Sequence, residues 1–347
     1  MTVDCEMSPT RETESRSSQP KLHERPPIGA NDAQNATLFH EHWWLDAVSG
    51  GQFSEVEVSE GNEIVGRLPY VVIRRFGFTQ LMLPPFTHAL GPCVVKNDGK
   101  YQTKLKNRVA IVKKLIEQLP KHDYFFQICD PSCQDGLAFA DGLAFQEYGF
   151  QVRTQYTFHI DCRDTPDVLL QQMHPRARRN IRASQNHYSV VSINDPDVFT
   201  EFYNKCLLAK GLKSNLPLER FSKIHAACCA RGCGEIFACL DESGSPIAMT
   251  FVVWDRRVMS YLLTVRYPEA GDKGSVNLLI WTAMQKAHEL GLIFDLDGVS
   301  TTGTAEFLSH LGGELRTRMI VTSARPLFST FQHFKRILGY GSSSSYS

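Results

Sequence analysis

The plainest signal along the chain is a change of period between residues 258 and 298. Apolar and polar positions alternate over 258–267, which predicts a strand. A short loop with Gly271 and Gly274 follows. Val276, Leu279, Ile280, Ala283, Met284, Ala287 and Leu290 then recur at helical spacing, while Gln285, Lys286 and Glu289 fall on the opposite face. Gly291 stops that helix, and Phe294-Asp295-Leu296-Asp297-Gly298 alternates again as a second strand. A helix that starts after a glycine-bearing loop aims unpaired N–H groups and a partial positive charge at that loop, which suits a pyrophosphate. The strand after it delivers two carboxylates at its end.

The same reading extends over most of the chain. In the first half it predicts a helix over 38–48, a hairpin of strands 53–58 and 64–74 around Glu60-Gly61-Asn62, and a strand over 80–83 that runs into Pro84-Pro85. A helix over 105–119, a strand over 124–129, a helix over 137–147 and a strand over 150–160 follow. The second half repeats that grammar: helices over 166–173 and 176–185, a strand over 189–193, a helix capped by Asp195-Pro196, and another helix over 218–231. Strands over 235–240, 247–254 and 258–267 form a meander, and the unit described first comes next. A short helix over 305–311, a strand over 316–321 and a helix over 326–338 close the chain. The expected class is α/β (α+β), with mixed sheets and helices on both faces.

The organisation expected is a disordered tail over residues 1–36, two similar halves over 37–160 and 161–339, and a flexible end over 340–347. Lysine plus arginine and aspartate plus glutamate both number 37, so no global basic field holds nucleic acid or an anionic membrane, and anion binding must be local. No apolar run is long enough to span a bilayer and the first residues lack the apolar core of a signal peptide, so a cytoplasmic protein is expected. The ten cysteines are scattered rather than spaced as a framework. Cys228, Cys229 and Cys233 near His225 read as thiols packing a helix end, because adjacent helical cysteines point about 100° apart; no metal is expected.

Several strings, taken in order, resemble the tandem-GNAT arrangement of the Fem-type aminoacyltransferases and their acetyltransferase relatives. They are Trp43-Trp44-Leu45-Asp46, Leu68-Pro69-Tyr70, Leu83-Pro84-Pro85-Phe86-Thr87 and Gly91-Pro92, then the basic run from Arg176 to Ala183, then Phe294 to Gly298 with Phe307 and Gly312-Gly313. The resemblance covers roughly residues 38–338. It implies two tandem GNAT-like sheets and transfer of an acyl or aminoacyl group from a carrier thioester or an aminoacyl-tRNA to an amine or hydroxyl, often on a cell-envelope or polysaccharide precursor. The family commonly has a lysine directly after the phenylalanine of the late helix, and here Leu308 follows Phe307. Such a lysine stabilises charge on a tetrahedral intermediate, so its absence favours an acyl-CoA donor, with coenzyme A as carrier, over a charged tRNA.

The residues to which this chemistry is assigned fall in three groups. Asp295 and Asp297 project from one face of their strand as candidate general bases, Asp295 preferred, with Tyr261 as a candidate acid. Lys273, Gly274, Ser275 and Asn277 open the helix and are the expected cofactor contacts, although Ser275 also reads as a plain N-cap. Arg176, Arg178, Arg179 and Arg182 lie within about two turns and are the expected substrate contacts, against the alternative of a solvated basic face. Lys210 and Lys213, beside Gly211, read as lysines at a helix C-terminus. No Ser-His-Asp spacing, nucleophilic cysteine string or Walker loop is present, so direct attack in a ternary complex is the expected mechanism. The expected partners are a small-molecule or envelope-precursor acceptor, with tRNA less favoured and DNA excluded. The alternatives are an aminoacyl-tRNA-dependent peptidoglycan-bridge-type transferase and a catalytically silent ligand-binding module of the same fold.

Overall fold

Each half of the sequence ends on a strand that it gives to the other half. The computed structural model describes residues 36–95, 99–130, 137–214, 216–268, 272, 274–299 and 301–337. Its elements run α1 (His42–Ser49), β1 (Phe53–Glu60), β2 (Glu63–Arg75), β3 (Phe78–Met82), β4 (Cys93–Val94), α2 (Tyr101–Glu117), β5 (Tyr124–Cys129), α3 (Asp141–Glu147), β6 (Gln151–Asp161), α4 (Pro166–Gln172), α5 (Pro175–Gln185), β7 (Ser189–Ile193) and α6 (Pro196–Ala209). Then come α7 (Phe221–Cys229), β8 (Gly234–Leu240), β9 (Pro246–Trp254), β10 (Val258–Arg266), α8 (Ser275–Glu289), β11 (Ile293–Val299), α9 (Thr302–Ser309), β12 (Glu314–Ala324) and α10 (Pro326–Ile337). The expected tails, Gly271 and Lys273 lie outside the described residues.

The strands join into one twelve-stranded mixed sheet of order β1-β2-β3-β5-β12-β6-β11-β10-β9-β8-β7, with β4 on β2. β12, the last strand of the second half, lies beside β5 of the first, and β6, the last strand of the first half, lies beside β11 of the second. β6 and β12 pair antiparallel from Glu314↔His159 to Thr322↔Gln151 and weld the halves. The mixed α/β class with helices on both faces is as the sequence implies; the exchange of end strands turns two sheets into one.

Within each half a parallel pair frames a helix: β3–α2–β5 and β10–α8–β11. α8 buries Leu279, Ile280, Ala283, Met284 and Ala287 against Met259, Phe294 and Leu296 on one face of the second half. α1, α6 and α7 cover the other face, where Trp44, Phe199, Phe221 and Phe251 pack. α2 and α3 cover the first half, with Val112, Leu115, Phe125 and Phe145 fully buried. Tens of buried apolar side chains at about 1.5–3 kcal/mol each supply the gross driving force for this arrangement. α6 starts as expected, its Asp195 carboxylate accepting the Asp197 amide at 2.9 Å. Among the described residues no helix is long and apolar enough to cross a membrane.

Candidate functional site

β10 and β11 pair only at Val258↔Ile293, Met259↔Phe294 and Ser260↔Asp295. Both strands then change register: β10 bulges between Tyr261 and Leu263 against β9, and β11 bulges between Asp295 and Gly298 against β6. Bulges at this point part the two strands and re-aim their side chains. Asp297 sits within the second bulge at φ 69°. A left-handed aspartate costs of order 1–2 kcal/mol, and such strain gathers at functional positions.

Arg318, on β12 and 2% exposed, is the centre of the site. Its Nε donates to Asp130 at 2.6 Å, its Nη1 to Asp297 at 2.9 Å, and its Nη2 to Asp295. Burial alone would pull the guanidinium's proton affinity down; the three carboxylates more than reverse that. Asp130 ends β5, Asp295 and Asp297 end β11, and Arg318 comes from the exchanged strand, so the strand swap is what brings them together. The Thr157 hydroxyl, on β6, lies 2.6 Å from Asp295 Oδ1 and 2.7 Å from the Asp297 carbonyl oxygen, and the Asp297 amide donates to Asp295 Oδ1 at 3.0 Å. His159 Nε2 stands 3.6 Å from the same Oδ1.

Asp130, His159 and Asp295 gather ligand atoms within 4.8 Å of one another. Arg318 already bridges the two carboxylates of that group, so its charge is neutralised from inside the chain.

The loop after β3 brings His88 to the same place. Trp44 Nε1 donates to Thr87 at 3.1 Å, and Thr87 donates to the Pro85 carbonyl at 3.2 Å, pinning the loop that follows Pro84-Pro85. His88 Nε2 then lies 3.2 Å from the carbonyl oxygen of Leu262, in the bulge of β10, and Nδ1 lies 3.2 Å from Asp297 Oδ1. For Asp297, burial raises the carboxyl's pKa, and His88, Arg318 and the Gly298 amide outweigh it, leaving it below the usual carboxylate range. A cavity of about 20 Å³, room for roughly one water, lies between His40, Asp130, Asp255, Ser260, Asp295 and Arg318.

Of the expected residues, Asp295 is 1% exposed with its oxygens engaged by Arg318, Thr157 and the Asp297 amide. It anchors its neighbours. Asp297 keeps 22% of its side chain exposed. Tyr261 is on the other side of the sheet, its ring edge-on to Phe294 at 6.0 Å within the α8 core, and burial pushes its hydroxyl pKa up. The structure therefore separates Tyr261 from the two aspartates.

The loop before α8 is occupied as well. Asp272 Oδ1 accepts the amides of Gly274 at 3.0 Å and Ser275 at 2.8 Å, and Asp272 Oδ2 pairs with Arg266 at 2.9 Å. Burial would raise the Asp272 pKa, but these bonds hold it below the usual range. Gly274 holds the N-cap position and Ser275 is the first helical residue, so Ser275 is no N-cap; Gly274 (φ 100°) is pressed against α5, where an added Cβ would meet Ser184 Oγ at 2.8 Å. Asn277, one turn along, faces an open cleft of about 300 Å³ with Arg176, Asn180, Glu306, Phe307 and His310. The cleft thus unites one expected cofactor contact with one expected substrate contact. Arg178, Arg179 and Arg182 do not line it. His174 caps α5, accepting the Arg176 amide at 3.2 Å, and stacks on His310 at 4.3 Å. At α7, Cys229 Sγ lies 3.4 Å from His225 Nε2 and Cys228 is buried.

Sequence reasoning missed Arg318, Asp130, His88, Thr157 and His159. One signal was within reach: the string Leu83-Pro84-Pro85-Phe86-Thr87 stops one residue short of His88.

A family model described as an acetyltransferase (GNAT) domain matches residues 172–307, the segment that holds α5, the β8–β9–β10 meander, α8, β11 and the start of α9. The chain has a GNAT acyltransferase-type fold and is similar to Fem-type structures. Among solved structures it is similar to FemX, at 14% identity and TM-score 0.62 over 84% of this chain and 94% of that one. It is also similar to L-PGS from Bacillus licheniformis, at 12% identity and TM-score 0.50 over 86% of this chain and 92% of that one. The C-terminal DUF2156 domain of a putative lysylphosphatidylglycerol synthetase from Agrobacterium fabrum gives 12% identity and TM-score 0.50 over 85% and 92%. At these identities the likeness is one of fold. No curated protein matches the sequence.

Proposed function

We propose that this chain transfers an acyl group from an acyl-CoA-type donor to an amine or hydroxyl by direct attack, with a small molecule or an envelope precursor as acceptor. The observation that carries the reading is the parting of β10 and β11 after Ser260↔Asp295, beside α8, inside the segment that matches an acetyltransferase domain. Strand edges that stop bonding each other suit the amide-bearing arm of a carrier. In this reading the donor's phosphates go to Arg176, Asn180, Asn277 and His310 rather than to the Gly274 and Ser275 amides, which Asp272 already occupies. Asp297, oriented by Arg318 and paired with His88, accepts a hydrogen bond from the attacking amine or hydroxyl and orients it, with Asp295 as the buried anchor beneath it. Its low proton affinity makes Asp297 a weak base, so the acceptor's proton passes on to the coenzyme A sulfur as the thioester C–S bond breaks. A CoA-dependent enzyme of this kind would work in the cytoplasm.

Transfer from a charged tRNA is the second reading, favoured by Asp272: its carboxylate lies where a pyrophosphate would approach α8. Leu308, in place of the family's lysine, weighs against it.

Thermal unfolding in the presence of coenzyme A or of tRNA separates these readings. A rise with coenzyme A alone supports the first, a rise with tRNA alone the second, and no rise with either supports a silent module. Asp297→Asn and His88→Gln are then expected to lower kcat for CoA release from acetyl-CoA, over a panel of amines and alcohols, by about 10²–10⁴-fold with KM little changed. Full turnover in both variants would overturn the assignment.

A further inference from the structure

The β2–β3 hairpin projects past its neighbour. β1 covers β2 only as far as Phe53↔Val71, so residues 72–75 pair with β3 alone. At the tip, Phe76 and Gly77 both take positive φ, 53° and 79°, the pair of left-handed residues that a tight two-residue hairpin requires. A phenylalanine is a costly choice there, and its ring is 60% exposed.

α10 lies against the tip end of the hairpin. Phe328, 1% exposed, anchors it on Phe78 and Tyr124, with ring centroids 5.2 and 4.9 Å apart. One face over, Leu327, Phe331 and Phe334 recur at i, i+4 and i+7, a single stripe. Phe331 reaches the Phe76 ring at 5.5 Å, which joins the stripe to the hairpin tip, while Leu327 and Phe334 are 79% and 59% exposed. Large apolar side chains gathered this openly mark an interaction surface.

The surroundings of the patch identify the partner. Arg74 and Arg75 are exposed on the hairpin, and the Arg75 guanidinium lies 4.9 Å from the Phe76 ring centroid. Arg325 stands just before α10 with Asp123, the nearby acid, 3.8 Å away; Asp123 also accepts the Thr79 amide. In a chain of zero formal net charge this local excess is a feature of the patch. Apolar tips with arginines at their base match the boundary between phosphate headgroups and acyl chains. A two-fold contact with a second copy would set the arginines against one another. We propose that this face docks on an anionic lipid surface, with Phe76, Leu327 and Phe334 entering the acyl boundary and Arg74, Arg75 and Arg325 meeting the phosphates.

Sedimentation of the full chain with vesicles tests this. Binding is expected to phosphatidylcholine vesicles containing phosphatidylglycerol, weak or no binding to phosphatidylcholine alone, and release by salt. Two variants, Phe76→Asn with Leu327→Ser and Phe334→Ser, and Arg74→Glu with Arg75→Glu, should each weaken binding by about tenfold or more while circular dichroism and melting stay unchanged. Three results would overturn the proposal: no binding to the anionic vesicles, equal binding to both vesicle types, or a dimer in sedimentation equilibrium that the apolar variant dissolves.

Discussion

In the unit β3–α2–β5 the parallel pairing lasts for Gln80↔Tyr124 and Leu81↔Phe125, and the chain's own loop then fills the gap: Leu90 donates to the Ile128 carbonyl at 2.7 Å and bridges Cys129. In β10–α8–β11 the pairing ends as early, but what enters is a side chain from the other half, His88. The buried arginines differ in the same way. Arg108, on α2, grips both carboxylate oxygens of Asp141 through two bonds of 2.7 and 2.8 Å. Arg318 divides its donors among Asp130, Asp295 and Asp297 around a small cavity. One supersecondary unit, used twice, is closed by backbone in one copy and by shared ionisable groups in the other. A backbone closure leaves no ionisable group at the gap, whereas shared carboxylates and an imidazole put proton-handling groups there, which is why the proposed chemistry is assigned to the second unit.

The largest effect expected from this contrast is that of Arg318→Met. Removing that cation takes away the charge that bridges the buried carboxylates of Asp130 and Asp295, and a loss of about 3–5 kcal/mol is expected in urea unfolding. Among the described residues Arg108 bonds the carboxylate of Asp141 where Arg318 bonds three, so Arg108→Met should cost less. An equal or larger loss at Arg108 would break the distinction between the two arginines. Glycines give the converse. Gly91 has φ 78°, and an added Cβ would meet Cys129 Sγ at 2.5 Å, so Gly91→Ala should cost roughly 2–4 kcal/mol. At Gly274 the clashing atom is Ser184 Oγ, the end of a small side chain, and roughly 1–2 kcal/mol is expected for Gly274→Ala. Reversal of that order would mean that the second unit is the more tightly closed.

How much of this was legible in the sequence follows from the range of each interaction. The alternation around Asp295 and Asp297, the α8 stripe and the Asp195 cap are written in neighbouring residues, and the structure has them. Arg318 belongs to an alternating strand with nothing local to mark it, and Asp130 lies 188 positions away. Their meeting depends on the exchange of β6 and β12, which no periodicity encodes. Tyr261 was paired with the aspartates because each stood at a strand centre or end; neither the face Tyr261 takes nor the bulge beside it was legible. Asp272 escaped notice because glycines and a lysine made the loop look ready for an anion, yet the chain supplies the anion itself.

His40 tests the wall of the cavity through pH. Its Nδ1 lies 3.2 Å from the Thr37 amide, which donates to it, and its Nε2 lies 3.3 Å from the Gly91 carbonyl oxygen, a pattern that a neutral ring satisfies. Burial, with the charges of Arg67, Arg257 and Arg108 beside it, lowers its pKa from 6.5 to about 3, against a smaller upward pull from the Gly91 carbonyl. The unfolded chain therefore binds a proton between pH 6.5 and 3 that the folded chain refuses, so stability is full above that window and is lost as pH falls through it. Between pH 7 and pH 5 the protein should lose about 2 kcal/mol in urea unfolding that His40→Gln does not lose. Parallel curves for the two proteins would mean that the ring titrates freely.

The smallest effect decides which ligand reaches α8. Asp272→Asn keeps an acceptor for the Gly274 and Ser275 amides and removes one charge at a helix N-terminus, so it should cost no more than about 1 kcal/mol of stability. It also weakens the hold on Arg266, whose side chain is 42% exposed and free to turn toward a phosphate. If a CoA-type donor sets its phosphates in the neighbouring cleft with Arg176 and Asn277, losing that like charge should tighten coenzyme A binding by about fivefold in calorimetry. Binding of tRNA should then change much less. Unchanged coenzyme A affinity in Asp272→Asn, together with its loss in Arg176→Ser, would confine the phosphates to the cleft. No coenzyme A binding in either protein would instead leave the parted strands of the second unit to a donor without a pyrophosphate, and the charged tRNA would become the leading reading.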